Sequence, residues 1–271
     1  MDVLTERSSR VVSLAKLHRA SVRRSTGTFL AEGANAVDAA LSTGRAQQLL
    51  VRHDDADPAA ENRRHADLIA RAEAARLPVH RLSPRAADKL SETTTAPGIF
   101  AVCGLLTDTP DRVDLSGDGF AVVAVEPREP GNAGTLIRCA DAMGAKAVLL
   151  LGDAVDVHNG KCVRASAGSV FHVPLIVERD VAAGLARLRE AGLRTLATTM
   201  DGEVPLPEAD DLLAEPHAWL FGNEAHGLSE REIAGADHRV SIPIHGRAES
   251  LNLAAASAIC LYASATARRR A

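Results

Sequence analysis

Three segments of the chain place glycine, asparagine and charged residues where an apolar stretch gives way to a helix-like pattern. They are EPREPGNAGTLIRCADAMGA (126–145), LFGNEAHGLSE (220–230) and IPIHGRAESLNLAAASAICLY (242–262). The first turn of a helix has backbone N–H groups without intrahelical partners, and these groups can bind an anionic or hydrogen-bonding ligand. Ser250 and Asn252 are also good helix N-caps, so a purely structural role for the third segment stays open.

In this order and spacing, the three segments resemble the motifs of the SpoU/TrmH family of RNA ribose 2′-O-methyltransferases, which belongs to the knotted SPOUT class. One match would be weak evidence, but three in series across about half the chain are highly specific. The matching positions are Asn132, Gly134 and Arg138, then Gly222, Asn223, Glu224, Gly227, Leu228 and Ser229, and finally Ile242, Pro243, Gly246, Ser250, Leu251 and Asn252.

The resemblance extends to the N-terminal half. Residues 27–41 (GTFLAEGANAVDAAL) and 91–103 (SETTTAPGIFAVC) resemble the beginning and end of the family's L30e-like RNA-binding domain. The resemblance implies an N-terminal L30e-like α/β sandwich over residues 1–107 and a linker over 108–117. It implies a C-terminal SPOUT α/β domain with a deep trefoil knot over 118–271. General folding rules rank a knot as improbable, so the knot is predicted by the resemblance alone.

The resemblance implies methyl transfer from S-adenosyl-L-methionine to a ribose hydroxyl, without a metal. This in-line displacement requires a bound donor, an aligned hydroxyl and removal of its proton. The catalytic positions that the resemblance indicates are Arg138, Asn132, Glu224, Ser250 and Asn252. An arginine side chain titrates far above neutral pH, so deprotonating it costs roughly 9 kcal/mol at pH 7. We therefore expect Arg138 to stabilise phosphate or alkoxide charge, with a surface arginine on a helix as the alternative.

Glu224 is expected to orient Arg138 or to take the proton through water; the alternative is a partner for a helix N-terminus. The family often has glycine after this glutamate, whereas this chain has Ala225. A left-handed backbone at Ala225 would cost about 1 kcal/mol or more. The resemblance also implies cofactor contacts in three loops, for which core packing is the alternative. The positions are Thr198, Thr199, Met200, Gly222, Asn223, Ile242 and Leu251.

Residues 7–24 carry basic side chains and no carboxylate, although the net charge of the chain is −4. A net negative charge is unusual for a simple nucleic-acid binder, but the distribution of charge matters more than its sum. The expected RNA-phosphate contacts are Arg7, Arg10, Arg19, Arg23 and Arg24. The alternative is a solvated helix face with a mobile arm. Only 3% of residues are aromatic, which argues against a base-stacking platform.

The four cysteines are widely spaced and form neither a zinc pattern nor a disulfide framework. Neither an N-terminal signal pattern nor an apolar run of membrane length occurs in the sequence. We therefore expect a reduced, soluble, cytoplasmic protein that does not associate with a membrane.

Apolar segments alternate with helix-like segments on both sides of the linker, which predicts α/β folds. Ser229 and Glu232 form a capping-box pattern. Helices are predicted from residue 8 to about 20 and at 35–41, 58–76, from 83, 131–143, 162–168, 181–191, 229–234 and 250–267. Strands are predicted at 28–31, 48–52, 79–82, 98–105, 120–125, 147–151, near 174–177, and at 194–199, 217–221 and 238–242.

We therefore predict an S-adenosylmethionine-dependent RNA ribose 2′-O-methyltransferase. The extra N-terminal domain favours 23S rRNA as substrate, since the family's simpler tRNA enzymes commonly lack it. The alternatives are a tRNA 2′-O-methyltransferase and a non-catalytic RNA-binding or ribosome-assembly protein. The resemblance also implies a homodimer through the C-terminal domain. The last predicted helix supports this, because it has apolar residues on more than one face, namely Leu253, Ile259, Leu261 and Tyr262.

Overall fold

The computed structural model describes residues 3–53, 64–108 and 112–270. The chain forms two compact units. The first unit contains Met1–Leu106 and Asp156–His172, and the second contains Thr107–Val155 and Val173–Ala271. The first stretch of the first unit ends at Leu106, one residue before the predicted boundary at 107. The predicted linear division does not include the return of Asp156–His172 to that unit.

Both units alternate strands and helices within the described residues. The strands are β1 (Thr28–Glu32), β2 (Ala46–Arg52), β3 (Val79–Leu82), β4 (Ile99–Gly104), β5 (Thr107–Asp108), β6 (Phe120–Val125), β7 (Val148–Leu151), β8 (Leu175–Glu178), β9 (Arg194–Thr198), β10 (Val204–Pro205), β11 (His217–Phe221) and β12 (His238–Ser241). The helices are α1 (Ser9–Ala15), α2 (Ala20–Thr26), α3 (Ala34–Ser42), α4 (Ala66–Ala74), α5 (Pro84–Leu90), α6 (Pro130–Met143), α7 (Gly160–Ala165), α8 (Val181–Glu190), α9 (Asp210–Ala214), α10 (Glu230–Gly235) and α11 (Leu253–Arg270).

The first unit is built on a four-stranded sheet in the order β1-β4-β2-β3. Strand β4 is antiparallel to both of its neighbours, and β2 and β3 are parallel. Helices α1 and α5 contribute Val11 and Leu90 to a core that also contains Leu50, Leu82 and Phe100 from the sheet. This burial of apolar side chains stabilises the sandwich.

Residues 156–172 complete the first unit. The ring of Phe29 on β1 stacks on Phe171 at 5.9 Å and lies 4.9 Å from the ring of His158. Gly168 has a φ of +104°, and a Cβ there would lie 3.1 Å from the carbonyl oxygen of Asn35. Both the backbone conformation and the close approach therefore require glycine at this position.

The second unit is built on an eight-stranded sheet in the order β10-β12-β9-β11-β6-β7-β8-β5. Every pair of neighbouring strands is parallel. All six residues of β6 are buried, as expected for a strand covered on both faces of the sheet.

The sheet order explains how three distant segments meet. Strands β12, β9, β11 and β6 are consecutive neighbours, and parallel strands end at the same edge. The residues that follow these strands are Ile242, Thr199, Gly222 and Glu126. They start the loops that the sequence assigns to the site, at the edge where open α/β sheets commonly bind ligands.

Most predicted elements occur, but several boundaries differ. The predicted helix from residue 8 to 20 is interrupted after Ala15, because Arg19 has extended backbone (φ −92°, ψ 126°) and precedes α2. Thr107 and Asp108, at the predicted boundary between the first domain and the linker, instead form a strand that pairs with β8. Strand β10 and helix α9 were not predicted. Residues 58–63 of one predicted helix and 109–111 of the linker lie outside the described residues.

Candidate active site

The carboxylate of Glu224 connects the first two motif segments. It accepts hydrogen bonds from the backbone N–H groups of Arg128 (3.0 Å) and Glu129 (3.1 Å) and from the side-chain amide of Asn132 (3.2 Å). The other end of that amide, Asn132 Oδ1, accepts a hydrogen bond from Asn252 Nδ2 at 3.0 Å. One chain of side-chain hydrogen bonds therefore joins all three segments.

Helix ends set the position of these side chains. Glu129 caps α6, and Pro130 takes the first helical position, where proline is favoured. The negative charge of Glu224 lies beside this helix N-terminus, where the helix dipole stabilises it. Asn252 Oδ1 accepts from Ala254 N–H at 2.9 Å. Asn252 therefore caps α11, and the helix begins at Leu253 rather than at the predicted residue 250.

The environment of Glu224 favours its ionised form. Partial burial raises the pKa of this carboxyl, but hydrogen bonds from Arg128 N–H, Asn132 and Glu129 N–H outweigh that effect. The pKa of Glu224 is consequently lowered below its usual value, which makes the carboxylate a weaker base.

The loop after β11 closes on itself through backbone hydrogen bonds between Asn223 and Gly227. A Cβ on Gly222 would lie 2.1 Å from the Gly227 carbonyl carbon, so this glycine allows the two backbones to approach closely. Gly227 supplies the left-handed turn with a φ of +68°, and Ala225 does not have a positive φ. The substitution of alanine for the family's glycine therefore introduces no backbone strain of the kind considered above.

The loop after β9 contains an unusual hydroxyl. Thr198 Oγ1 donates to the carbonyl of Leu220 at 2.9 Å. Thr199 Oγ1 is buried and has no hydrogen-bond partner among the described residues. Buried polar atoms are normally paired, so the Thr199 hydroxyl is an orphan that a ligand could satisfy.

The loops that the sequence assigns to the site also contain exposed apolar side chains and backbone groups without hydrogen bonds to other described residues. Met200 is 79% exposed and Leu251 is 38% exposed. Residues 243–251 are exposed, and their backbone groups form no hydrogen bond with the described part of the chain. These loops can therefore offer apolar contacts and unpaired N–H and C=O groups to a ligand.

Arg138 and Ser250 stand apart from the hydrogen-bonded chain. Within residues 3–53, 64–108 and 112–270, Arg138 is exposed and forms no ion pair. Six residues along a helix rotate a side chain by about 600°, which leaves Arg138 about 120° around α6 from Asn132. Ser250 is also exposed, without a hydrogen bond to a described residue. The chain thus brings together Asn132, Glu224 and Asn252 but not all five predicted catalytic residues.

The predicted RNA contacts divide into two groups. Arg7, Arg10, Arg19 and Arg24 are exposed. Arg23 is 2% exposed, and its guanidinium donates to Asp156 Oδ2 at 2.7 and 3.0 Å and to two backbone carbonyls. Because these partners use its donors inside the first unit, we remove Arg23 from the set of RNA contacts.

Sequence reasoning missed two neighbours of the site. Glu126 follows β6 with a φ of +47°, which is rare for a residue with a side chain. Its carbonyl accepts a hydrogen bond from Asn223 Nδ2 at 2.8 Å. Arg128 forms an ion pair with Asp153 at 2.6 Å. Neither residue type signals such a role in advance, since the contacts depend on how the strands are ordered.

The described residues contain neither a metal-binding cluster nor a membrane-spanning helix. No cluster of three or more His, Cys, Asp or Glu residues in these ranges could hold a metal ion. None of the helices in the same ranges has the length and apolar character needed to span a membrane.

Comparison with known proteins identifies the family. The model of the SpoU rRNA methylase family matches residues 119–262, and the model of the MRM3-like substrate-binding domain matches residues 8–101. The chain belongs to the SpoU rRNA methylase family.

Among individual relatives, the chain is 33% identical to the 23S rRNA (guanosine(2553)-2′-O)-methyltransferase RlmP of Bacillus subtilis (strain 168), over 96% of this chain and 98% of the relative. The AdoMet-bound rRNA methyltransferase of Sinorhizobium meliloti superposes with a TM-score of 0.84 at 27% identity, covering 99% and 98% of the two chains. A structure described for 2-OH methylation on tRNA has a TM-score of 0.51 and 32% identity, and it covers 56% of this chain and 96% of its own.

Proposed function

We propose that this protein is an S-adenosylmethionine-dependent ribose 2′-O-methyltransferase that acts on 23S rRNA. The observation that carries the proposal is the hydrogen-bonded chain from Glu224 through Asn132 to Asn252. It joins the three motif segments in a chain that belongs to the SpoU rRNA methylase family. The full-length similarity to RlmP and to an AdoMet-bound rRNA methyltransferase supports the same activity.

The loops at the edge of the sheet fit this cofactor. The orphan hydroxyl of Thr199 can bind a polar group of the cofactor. Ile242 and Leu251 can flank the adenine, and the unpaired backbone groups beside them can bond its edge. Thr198 and Met200 extend the surface, whereas Gly222 and Asn223 act by closing their own loop. When bound, S-adenosylmethionine supplies a methyl group activated by a sulfonium.

The residues of the chain then have distinct tasks. Glu224 and Asn132 hold the N-terminus of α6, and Asn252 fixes the start of α11 against Asn132. Ser250 is assigned the role of positioning the ribose of the RNA substrate. Arg138 stabilises the charge that develops on the 2′-oxygen or binds the neighbouring phosphate, since a guanidinium is a poor base. Glu224 is assigned a positioning role because its pKa is lowered.

We propose that the active protein is a homodimer through the second unit. Ile259 is 41% exposed and Tyr262 is 64% exposed on α11, which also packs against α6 within one chain. A groove of about 700 Å³ lies beside Met143 and Tyr262. A second copy would cover this apolar surface. It would also allow Arg138 of one subunit to complete the site of the other, which explains why Arg138 is absent from the hydrogen-bonded chain.

Family membership also underlies our proposal of the deep trefoil knot. Strand β12 lies beyond β9 in the sheet, whereas the helix that follows it, α11, packs against α6. The connection between them must therefore cross the ends of β9 and β11. We assign the protein to the cytoplasm because its proposed substrate is ribosomal RNA.

A tRNA substrate is the second candidate, supported by the structure related to 2-OH methylation on tRNA. That similarity covers 56% of this chain, whereas the similarity to RlmP covers 96%. A substrate-binding-domain model matches residues 8–101, which favours rRNA. A purely non-catalytic RNA-binding protein would not need the connected Glu224, Asn132 and Asn252.

The test is transfer of a labelled methyl group from S-adenosylmethionine to unmodified rRNA and tRNA, followed by mapping of the modified ribose. We expect 2′-O-methylation at one position of 23S rRNA. Label in tRNA alone would overturn the substrate assignment. Absence of calorimetric binding of S-adenosylhomocysteine to the folded protein would remove the enzyme assignment.

A further inference from the structure

Arg10 lies over two polar side chains at the margin of the first unit's core. The register of β2 and β3 pairs Leu50 with His80, and alternate residues of a strand share a face. Gln48, Leu50, His80 and Leu82 therefore lie on the face that α1 covers. Leu50 and Leu82 are fully buried in the core, whereas Gln48 and His80 are only partly buried.

Both polar side chains contact the guanidinium of Arg10. Arg10 Nη1 donates to Gln48 Oε1 at 3.3 Å, and the same nitrogen contacts Nε2 of His80. The Nε and Nη2 donors of Arg10 have no hydrogen-bond partner in the described part of the chain. Two side chains, Gln48 from β2 and His80 from β3, thus hold one end of the exposed Arg10 guanidinium and leave its remaining donors open.

Neutral partners distinguish Arg10 from other arginines of the first unit. Arg71 is paired with Asp38 at 2.5 Å and Arg164 with Glu32 at 2.8 Å, so carboxylates offset both charges. Arg10 is held by an amide oxygen and an imidazole nitrogen instead. The pKa of His80 is lowered by its partial burial and by the charge of Arg10, which keeps the ring neutral and able to accept. Arg10 is therefore fixed in position and keeps its full positive charge.

We propose that Gln48 and His80 are positioning residues that hold Arg10 for a phosphate of the RNA substrate. This inference rests on the proposed RNA-binding role of the first unit. A guanidinium held in advance loses less side-chain freedom when it binds a phosphate. The guanidinium groups of Arg19 and Arg24 are also charged but have no hydrogen-bond or ion-pair partner among the described residues, so each side chain must be ordered on binding. We infer that Arg10 is the pre-positioned contact among the exposed arginines of residues 7–24.

The experiment measures binding of the full-length protein to an unmodified 23S rRNA transcript over a range of salt concentrations. Arg10→Ala should weaken binding and reduce the salt slope by about 0.7 to 0.9, the value for one lost phosphate contact. Gln48→Ala combined with His80→Ala should weaken binding about three- to tenfold, the effect of losing one ordered side chain. Gln48→Glu should weaken binding more than Gln48→Ala, because a carboxylate holds Arg10 but offsets its charge.

A double-mutant cycle separates positioning from a general structural effect. In the Arg10→Ala background, loss of Gln48 and His80 should have no further effect on RNA affinity. Arg85→Ala removes another exposed arginine of the first unit and is the control for the loss of one positive charge. Additive losses from Arg10→Ala and the Gln48/His80 double variant, or equal binding by Gln48→Glu and wild type, would overturn the inference. In either case, site-specific methyl transfer by the wild-type protein would leave the proposed function standing.

Discussion

Asn252 Nδ2 and Asn132 Oδ1 are 3.0 Å apart, although 120 positions separate the two residues in the chain. Each asparagine also faces a second partner: Asn132 donates to Glu224, and Asn252 accepts from Ala254 N–H. The pair therefore fixes the start of α11 relative to the start of α6. Loss of either asparagine should disturb the same geometry.

Asn132→Ala and Asn252→Ala should each reduce single-turnover methyl transfer. Each loss should be smaller than the loss expected for Arg138→Ala, which is on the order of 10²-fold. The double variant should lose little more than the more damaged single variant, because both changes break one chain of hydrogen bonds. Asn159 caps α7 in the first unit, so Asn159→Ala is the control for the loss of a cap, about 1 kcal/mol. Full additivity of the two losses would contradict a shared role.

Thr199→Val should separate cofactor binding from stability. Thr199 Oγ1 has no partner among the described residues, so replacing it with a methyl group should leave the free energy of unfolding unchanged or raise it. Affinity for S-adenosylhomocysteine should fall about three- to tenfold, the effect of one hydrogen bond. Calorimetry and urea unfolding measure the two quantities.

Thr195 provides the matched control for this variant. Its hydroxyl is buried but donates to Asp237 at 2.8 Å, so Thr195→Val should lose stability and keep cofactor affinity. Unchanged cofactor binding by Thr199→Val would show that the orphan hydroxyl does not face the cofactor.

Arg23→Ala should destabilise the protein by about 3–5 kcal/mol, because it leaves Asp156 without its buried counterion. Arg24 is the adjacent exposed arginine, and Arg24→Ala should change stability by less than about 0.5 kcal/mol. Arg24→Ala should instead flatten the salt dependence of RNA binding. Equal stability of the two variants in urea would contradict the buried role of Arg23.

Local patterns in the sequence predicted local structure well. The apolar runs of β6 and β11 have the predicted bounds, and Ser229 and Glu232 form the expected capping box. The family's motifs also identified Asn132, Glu224 and Asn252, which the structure joins. These successes rest on periodicity, helix capping and motif spacing, which are local properties of the chain.

The errors concern contacts between distant residues. Arg23 looked like its exposed neighbour Arg24 because its partner, Asp156, lies 133 positions away. Strand β5 pairs with β8 over only two residues, too few for a periodic pattern to appear. The contact between Glu224 and Asn132 likewise depends on β6 and β11 being neighbours, which no spacing within either motif specifies.

His217 should make stability depend on pH. Its Nδ1 faces the carbonyl of Glu215 at 2.8 Å and its Nε2 faces Ser264 Oγ at 2.8 Å, so both ring nitrogens are satisfied in the neutral form. Burial lowers the pKa of His217 to about 4. Between about pH 6.5 and 4 the unfolded chain binds a proton that the folded chain does not, so stability falls by roughly 3 kcal/mol as pH decreases through this window.

Urea unfolding between about pH 4.5 and 6.5 checks this dependence, since ordinary aspartates contribute mainly below that range. His217→Gln should flatten the curve, whereas replacement of the exposed His245 by Gln should not. An identical slope in His217→Gln and wild type would assign the effect to another group.

Complementation between two impaired variants tests whether Arg138 acts across the proposed dimer. Arg138→Ala and Asn252→Ala subunits, co-expressed with different tags, form mixed dimers in which each subunit carries one defect. If Arg138 serves the partner's site, one site of each mixed dimer contains both defects and the other is intact. With random pairing, half of the dimers are mixed, so about a quarter of all sites should be active.

If Arg138 serves its own subunit, every site in the mixed dimer carries one defect and activity stays at the level of the separate variants. Isolation of mixed dimers through both tags, followed by single-turnover methyl transfer to 23S rRNA, distinguishes the two outcomes. The control is a dimer that carries Arg138→Ala in both subunits, and it should show no rescue. We expect rescue, because the exposed Arg138 forms no ion pair with the described residues of its own chain and lies about 120° around α6 from Asn132.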